Sequence, residues 1–288
     1  IMSPPPTPNS PAAKPAIAPI SKYMINSMII FHFSQIHMDL ETRQLQQLLA
    51  EAQQLPEVLL LKPVTTSTND DVREIAQKGI QSVLVCSTRQ TQGRGQRQRQ
   101  WVSPEGNIYL STLLQTKTPI DGRLALEIAL NILQMPSLQG LALQVKWPND
   151  LYSAQGKWGG ILVEPLYSNQ AIIGVGINMN QVEDTQLDQA TSSLEQLGLA
   201  QADRISLMAE LYLAIQQAGL WFTHNSANLT SRFNHYAAFM QQQVEFEHMK
   251  GLSQGLFLGI QDDGAVQIQT TNGVENFYQG RLRPIIPV

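Results

Sequence analysis

The sequence predicts an α+β protein, a larger domain of interleaved strands and helices followed by a small β-barrel. Three observations predict it. Between residues 56 and 240, apolar runs of strand length alternate with stretches of helical spacing. Beyond residue 240, four short strand-like runs follow one another with only turn residues between them. A chain of 288 residues is also long enough for two such units.

The elements follow in chain order. Residues 1–37 read as a disordered or non-native segment, because Pro4, Pro5, Pro6, Pro8, Pro11, Pro15 and Pro19 break any regular structure. The apolar stretch Met28–Phe33 is too short to span a membrane, and Lys14 and Lys22 make a poor start for a signal peptide. No arginine precedes Arg43, which argues against a transit peptide. From Asp39, Leu45, Leu48 and Leu49 recur at helical spacing. Glu57–Val64 reads as a strand. Ser67 or Thr68 can cap a helix to about Lys78, with Asp70 and Asp71 favourable in its first turn. Val83–Ser87 is an apolar strand, residues 88–100 a polar loop, Asn107–Leu114 a strand, Arg123–Leu133 a helix and Leu141–Lys146 a strand. Further strands are expected at Gly160–Glu164 and Ala171–Ile177, a polar connection over 178–200, and helices over Arg204–Phe222 and onward to Met240. The barrel strands are Val244–Met249, Gly255–Gln261, Ala265–Thr270 and Val274–Tyr278. The domains are therefore read as 38–240 and 241–288.

Composition narrows the function classes. Hydrophobic residues at 43% suit a globular core, and no run is apolar enough for a membrane span. A net charge of −4 gives no global signature of nucleic-acid binding. The single cysteine, Cys86, rules out an internal disulfide and a multi-cysteine zinc site, and fits a reducing cytoplasm. Its apolar surroundings read as core rather than as a nucleophile. Arg89, Arg94, Arg97 and Arg99 nevertheless crowd one short segment, a local density that suggests an anion site.

Four motifs carry candidate chemistry. In the loop 90–101, Gly93 and Gly95 let backbone N–H groups approach a ligand, and the interleaved arginines can clamp phosphates. Lys146-Trp147-Pro148-Asn149-Asp150 precedes Lys157, which the apolar run after it places at a strand edge, with Gly159 and Gly160 giving close backbone approach. A lysine there can neutralise a carboxylate and a developing phosphoryl charge. Gly174 and Gly176 in an apolar strand suggest close packing of another group, and Asn178 beyond them can pair with a base edge. Ser67-Thr68-Asn69 can cap a helix and also bind a small polar ring. Each motif alone has an ordinary structural reading.

Together and in this order they resemble the biotin–protein ligase family. The matching elements are STN at 67–69, QxxGRG at 90–95, RxW at 99–101 followed by SPEGNIYLS, KWPND at 146–150, GKWGGILVE at 156–164 and GVGIN at 174–178. The resemblance spans residues 56–285 and implies a mixed sheet with helices on one side, like a class II aminoacyl-tRNA synthetase, plus an SH3-like C-terminal barrel. It implies that biotin carboxylate attacks ATP to form biotinyl-5′-AMP, with Mg2+ accompanying the nucleotide. A lysine of a biotin carboxyl carrier domain, of the acetyl-CoA carboxylase type, then takes the biotin. By the resemblance, Ser67, Thr68 and Gln90 bind the ureido ring, with Asn69 beside them. Gly93, Arg94, Gly95 and Gln96 belong to the loop that closes over the adenylate, with Arg94 and Arg99 near phosphate. Lys157 is the central catalytic lysine, with Gly160 close by. Trp101 and Asn178 flank and read adenine, and Asp150 orients or deprotonates the acceptor lysine. No nucleic-acid or membrane partner is implied, and pairing into a homodimer is left open.

Two departures concern the loop. The family pattern GRGRxGR is GRGQRQR here, with Gln96 in place of an arginine and Gln98 in place of a glycine. SPEGNIYLS is also one residue shorter than the SPxGxNLYLS form. Three rivals share parts of the pattern. A lipoate or octanoate ligase would use the same fold, but GRG and KWPND favour biotin. A biotin-responsive repressor needs three N-terminal helices where residues 39–55 supply one. A catalytically dead adaptor would not be expected to keep Lys157.

Overall fold

The computed structural model describes residues 39–180 and 189–285. The reading of residues 1–37 lies outside them. Helix α1, residues 39–51, buries Leu45 and Leu49 as its leucine spacing requires. A seven-stranded sheet follows: β1 (Val58–Lys62), β2 (Val83–Ser87), β3 (Ile108–Gln115), β4 (Leu143–Lys146), β5 (Asp150–Ser153), β6 (Gly156–Tyr167) and β7 (Gln170–Ile177). The spatial order is β1-β2-β3-β7-β6-β5-β4. Only β1 and β2 are parallel, so the sheet is mixed. Their crossover carries helix α2 (Thr68–Gln77).

Helices cover both faces of this sheet, not one as the resemblance implied. Every residue of β2 is buried, which demands a cover on each side. Val83 and Val85 pack with Val72 of α2. Leu84 and Cys86, on the opposite face, join the main core with α3 (Arg123–Leu133) and α4 (Arg204–Thr223). Cys86 is fully buried, and burial pushes its thiol up to about 12. A thiol reagent at pH 8 should therefore leave the folded chain unlabelled and react only after denaturation; stoichiometric labelling of the native protein would contradict this.

Helix α5 (Leu229–Tyr236) ends earlier than the expected Met240, and Ala238 instead hydrogen-bonds to Val145 beside β4. α5 is held to α3 by Arg232, whose Nη1 and Nη2 reach the fully buried Glu127 at 3.0 and 2.5 Å. The C-terminal strands β8 (Gln243–His248), β9 (Gly251–Ile260), β10 (Val266–Thr270), β11 (Gly273–Phe277) and β12 (Arg281–Pro284) form a second sheet in the order β11-β10-β9-β8-β12. Four of these strands were legible in the sequence; β12 was not. The sheet is open, because β11 and β12 do not pair with each other among the described residues. It still curls around an apolar centre, with Phe277 of β11 on Phe246 of β8 at 4.6 Å between centroids. Trp147 ties the two sheets together through Nε1 to Gly264 O, 3.0 Å. Among the described residues no helix is long and apolar enough to cross a membrane.

Candidate active site

The larger sheet builds a trough on the face that α2 begins on. Strand register explains its shape. Tyr109, Gly176, Gly160, Asp150 and Lys146 lie in one cross-strand row, and Ser111, Gly174 and Leu162 in the next. Cross-strand partners share a face. Glycines at the middle of the rows leave the floor bare, and larger groups settle on it. A Cβ on Gly174 would lie 2.3 Å from Asn69 Oδ1, and one on Gly176 would lie 2.7 Å from the Trp101 indole. The cleft so formed has about 200 Å³ of internal space.

Ser67, Thr68, Asn69 and Gln90 meet at one end. Ser67 occupies the N-cap position of α2, yet its hydroxyl does not cap the helix. It accepts from Arg94 Nη1 at 3.1 Å instead. Gln90 Oε1 takes over part of the cap, accepting from the Thr68 backbone at 2.9 Å. Thr68 Oγ1 lies 2.7 Å from Ser111 Oγ, and Ser111 donates to Asn69 Oδ1 at 2.5 Å. Asn69 Nδ2 donates to Glu164 Oε2 at 3.0 Å.

Arg94 lines the cleft, but all five of its N–H donors are engaged. Nε and Nη2 reach Glu164 at 3.0 and 3.1 Å, Nη1 and Nη2 reach Asp70 at 2.8 and 2.7 Å, and Nη1 reaches Ser67. Arg73 adds a second guanidinium to Glu164 at 3.1 Å. Burial alone would raise the Glu164 carboxyl, but hydrogen bonds from Arg94 and Asn69 and the nearby arginine charges hold it below the ordinary glutamate value. The hydrogen bonds that Arg94 donates to Asp70 and Glu164 push its guanidinium further up.

At the other end two lysines share one carboxylate. Lys157 Nζ sits 2.5 Å from Asp150 Oδ1, and Lys146 Nζ sits 3.7 Å from Asp150 Oδ2. Lys146 also donates to Gln189 Oε1 at 2.7 Å. All three charged groups are largely buried, and together they carry one net positive charge. Such a centre favours an anion in the adjoining space. Lys157 Nζ also lies 5.0 Å from the centroid of Trp101, and the Trp101 Nε1 donor is buried without a partner among the described residues.

Asn178, at the end of β7, uses Nδ2 on the carbonyls of Ser192 and Lys157, 3.1 and 3.4 Å. The sequence expectation gave it both a donor and an acceptor for a base; only the carbonyl oxygen is left. The loop residues Gln96, Arg97 and Arg99 reach the cleft mouth. Arg97 and Gln98 take left-handed backbone, φ 56 and 60. Gly93 lies against Ser103 and Gly95 lines the cleft. The structure thus gathers every candidate site residue into this cleft except Gly93, which lies beside Gln90 and Trp101. Sequence reasoning missed Ser111, Glu164, Lys146 and Gln189. It also missed Gly280 and Arg281, by which the C-terminal sheet contributes to the same cleft.

Residues 61–178 match the model of the biotin/lipoate A/B protein ligase family. The chain is 29% identical to the bifunctional ligase/repressor BirA of Bacillus spizizenii, over 78% of this chain and 73% of that protein. It is 28% identical to the biotin–[acetyl-CoA-carboxylase] ligase of Paracoccus denitrificans, over 73% and 93%. Among solved structures, the biotin protein ligase of Aquifex aeolicus in complex with biotin and ATP superposes with a TM-score of 0.68 at 25% identity, covering 80% of this chain and all of that one. Motifs, fold and these likenesses agree in pointing to a biotin–protein ligase.

Proposed function

We propose that this enzyme, of the biotin–[acetyl-CoA-carboxylase] ligase type, forms biotinyl-5′-AMP from biotin and ATP and passes biotin to a lysine of a carboxyl carrier domain. The observation that carries the reading is the cleft itself. It has hydroxyl and amide groups of Ser67, Thr68 and Gln90 at one end and the Lys157–Asp150–Lys146 charge centre at the other. Biotin has the same polarity, a urea ring at one end and a carboxylate at the other.

In the first step a carboxylate oxygen of biotin attacks the α-phosphorus, and the bond to pyrophosphate breaks. Lys157 holds the carboxylate and a phosphate oxygen together and offsets the charge that builds between them. In the second step the carrier amine attacks the acyl carbon, AMP leaves, and the amine loses a proton. Asp150 orients that amine. Asn178 Oδ1 suits an exocyclic amine of adenine, and Trp101 offers its ring beside it. The full engagement of Arg94 fits a positioning role better than the phosphate role that the resemblance implied, whereas Arg97 and Arg99 form no ion pair among the described residues and are free for phosphate. Magnesium enters as the partner of the nucleotide substrate; the described residues hold no group of three metal-ligating side chains.

The finer architecture belongs to the same reading: a class II synthetase-like catalytic unit over residues 38–240 and an SH3-like unit over 241–288. Its support is the mixed sheet and the curled second sheet. The decisive experiment mixes the purified protein with biotin, MgATP and a carrier domain and follows acceptor mass. An unmodified acceptor would overturn the proposal. ATP–pyrophosphate exchange that responds to lipoate and not to biotin would replace it with the lipoate alternative.

The loop departures lead to an expected result. An arginine on the adenylate contributes roughly 1.5–3 kcal/mol, against about 1 for a neutral amide. Left-handed backbone at a non-glycine residue costs about 1–2 kcal/mol, and Gln98 adopts it. Gln96→Arg combined with Gln98→Gly should slow release of preformed biotinyl-AMP by about tenfold. Unchanged release would mean that Arg97 and Arg99 already close the loop.

A further inference from the structure

Behind the cleft, a line of hydrogen bonds has its direction fixed from one end. Glu164 is a carboxylate and can only accept. Asn69 therefore turns its NH2 to Glu164 and its Oδ1 the other way. Oδ1 is again only an acceptor, so the single proton of Ser111 points to it, across 2.5 Å. With that proton spent, Ser111 Oγ accepts from Thr68 across 2.7 Å. The other close contact of Thr68 Oγ1 is Gln90 Oε1 at 3.1 Å, which is also an acceptor. On either route Thr68 gives its proton to the protein and shows the cleft lone pairs alone. Ser67 has the opposite polarity. Its Oγ accepts from Arg94, which leaves its proton for the cleft. The start of α2 thus presents a donor at Ser67 and an acceptor at Thr68, matched to the C=O and N–H of one edge of a cyclic urea.

We propose that Glu164, Asn69 and Ser111 are positioning residues that hold Thr68 as the acceptor for a biotin ureido N–H, an inference that rests on the biotin-ligase reading above. Ser111 and Glu164 do not line the cleft, so they act on the ligand through their neighbours. Gly174 belongs to the same device, since a side chain there would displace Asn69 Oδ1. A line of this kind selects against a ring without N–H and C=O groups, such as a dithiolane.

The test is a double-mutant cycle read by calorimetry, with biotin and MgATP titrated separately into the full chain. Ser111→Ala leaves the Thr68 proton only the longer bond to Gln90 Oε1, an oxygen that already accepts from the Thr68 backbone, so the hydroxyl is held less firmly as an acceptor. The substitution should weaken biotin binding by about fivefold to tenfold while MgATP affinity stays within about twofold. Thr68→Val removes the acceptor itself and should weaken biotin at least as much. In the Thr68→Val background, Ser111→Ala should then have no further effect on biotin. Independent multiplication of the two losses, or equal losses for biotin and MgATP, would show Ser111 to be a packing residue and overturn the proposal. If Ser111→Ala does not fold, Ser111→Cys, which keeps the volume and weakens the hydrogen bonds, is carried through the same cycle with the same two outcomes. Absence of biotin binding by the unmodified chain would instead refute the ligase reading.

Discussion

Lys157→Ala should lower the rate of adenylate formation by about two to three orders of magnitude, in keeping with the roughly 2.7–4 kcal/mol lost when one charge-stabilising donor is removed. The cause lies in the local charge balance. Lys146, Asp150 and Lys157 together carry one positive charge; without Lys157 the remaining pair is neutral. That pair then offers no excess charge at the point where a carboxylate and a phosphate, which repel each other, must meet. Asp150 keeps Lys146 as a partner, so no buried charge is stranded, and the melting temperature should stay within about 2 °C. ATP–pyrophosphate exchange and thermal melting measure the two parts. Near-normal exchange would remove Lys157 from the reaction. A collapse in melting temperature would make the loss uninformative, and Lys157→Met, which keeps the stem, would then be measured.

The second large effect concerns stability. Arg232→Ala should destabilise the fold by about 3–5 kcal/mol, because it leaves the carboxylate of Glu127 buried without its partner. Arg232 also lies 4.4 Å over the Trp221 ring, so packing is lost as well. Removing both ends should cost less than removing one: Glu127→Ala combined with Arg232→Ala should recover part of the loss. Denaturant titration of the two variants decides it. If the single and double variants are equally unstable, the penalty comes from packing and not from the stranded charge.

The sequence made much of this protein legible, for identifiable reasons. Elements with strong periodicity or clear turns were read at nearly their true limits, as with β2, α3 and β7. β12 was missed because Arg281-Leu282-Arg283-Pro284 alternates charge with a single leucine and ends in proline. Nothing in so short a run marks a strand; pairing with β8 makes it one. The resemblance placed the helices on one face, whereas β2, buried throughout, already held the clue to a cover on each side. At the site, residues in glycine-flanked or charged motifs were found. Ser111 and Glu164 stood inside the quoted motifs without a role, because their work is relational. A serine in the apolar strand Ile108–Gln115 was the available signal, since a buried hydroxyl needs a partner. Which partner it finds depends on the alignment of β3 with β7 and on the approach of α2, and no spacing in the sequence encodes that.

Gly280 and Arg281 border the cleft from the second sheet, and Trp147 already bonds across to Gly264. A ligand in the cleft is therefore mortar between two courses of structure. Whatever it contributes by binding the native state only, RT ln(1 + [L]/Kd), is shared by both sheets and cannot be credited to either. At a hundredfold excess over Kd that is about 2.7 kcal/mol. Saturating nucleotide should thus delay unfolding of the C-terminal strands as much as that of the larger sheet, so that substrate level and integrity of the chain's tail become one quantity.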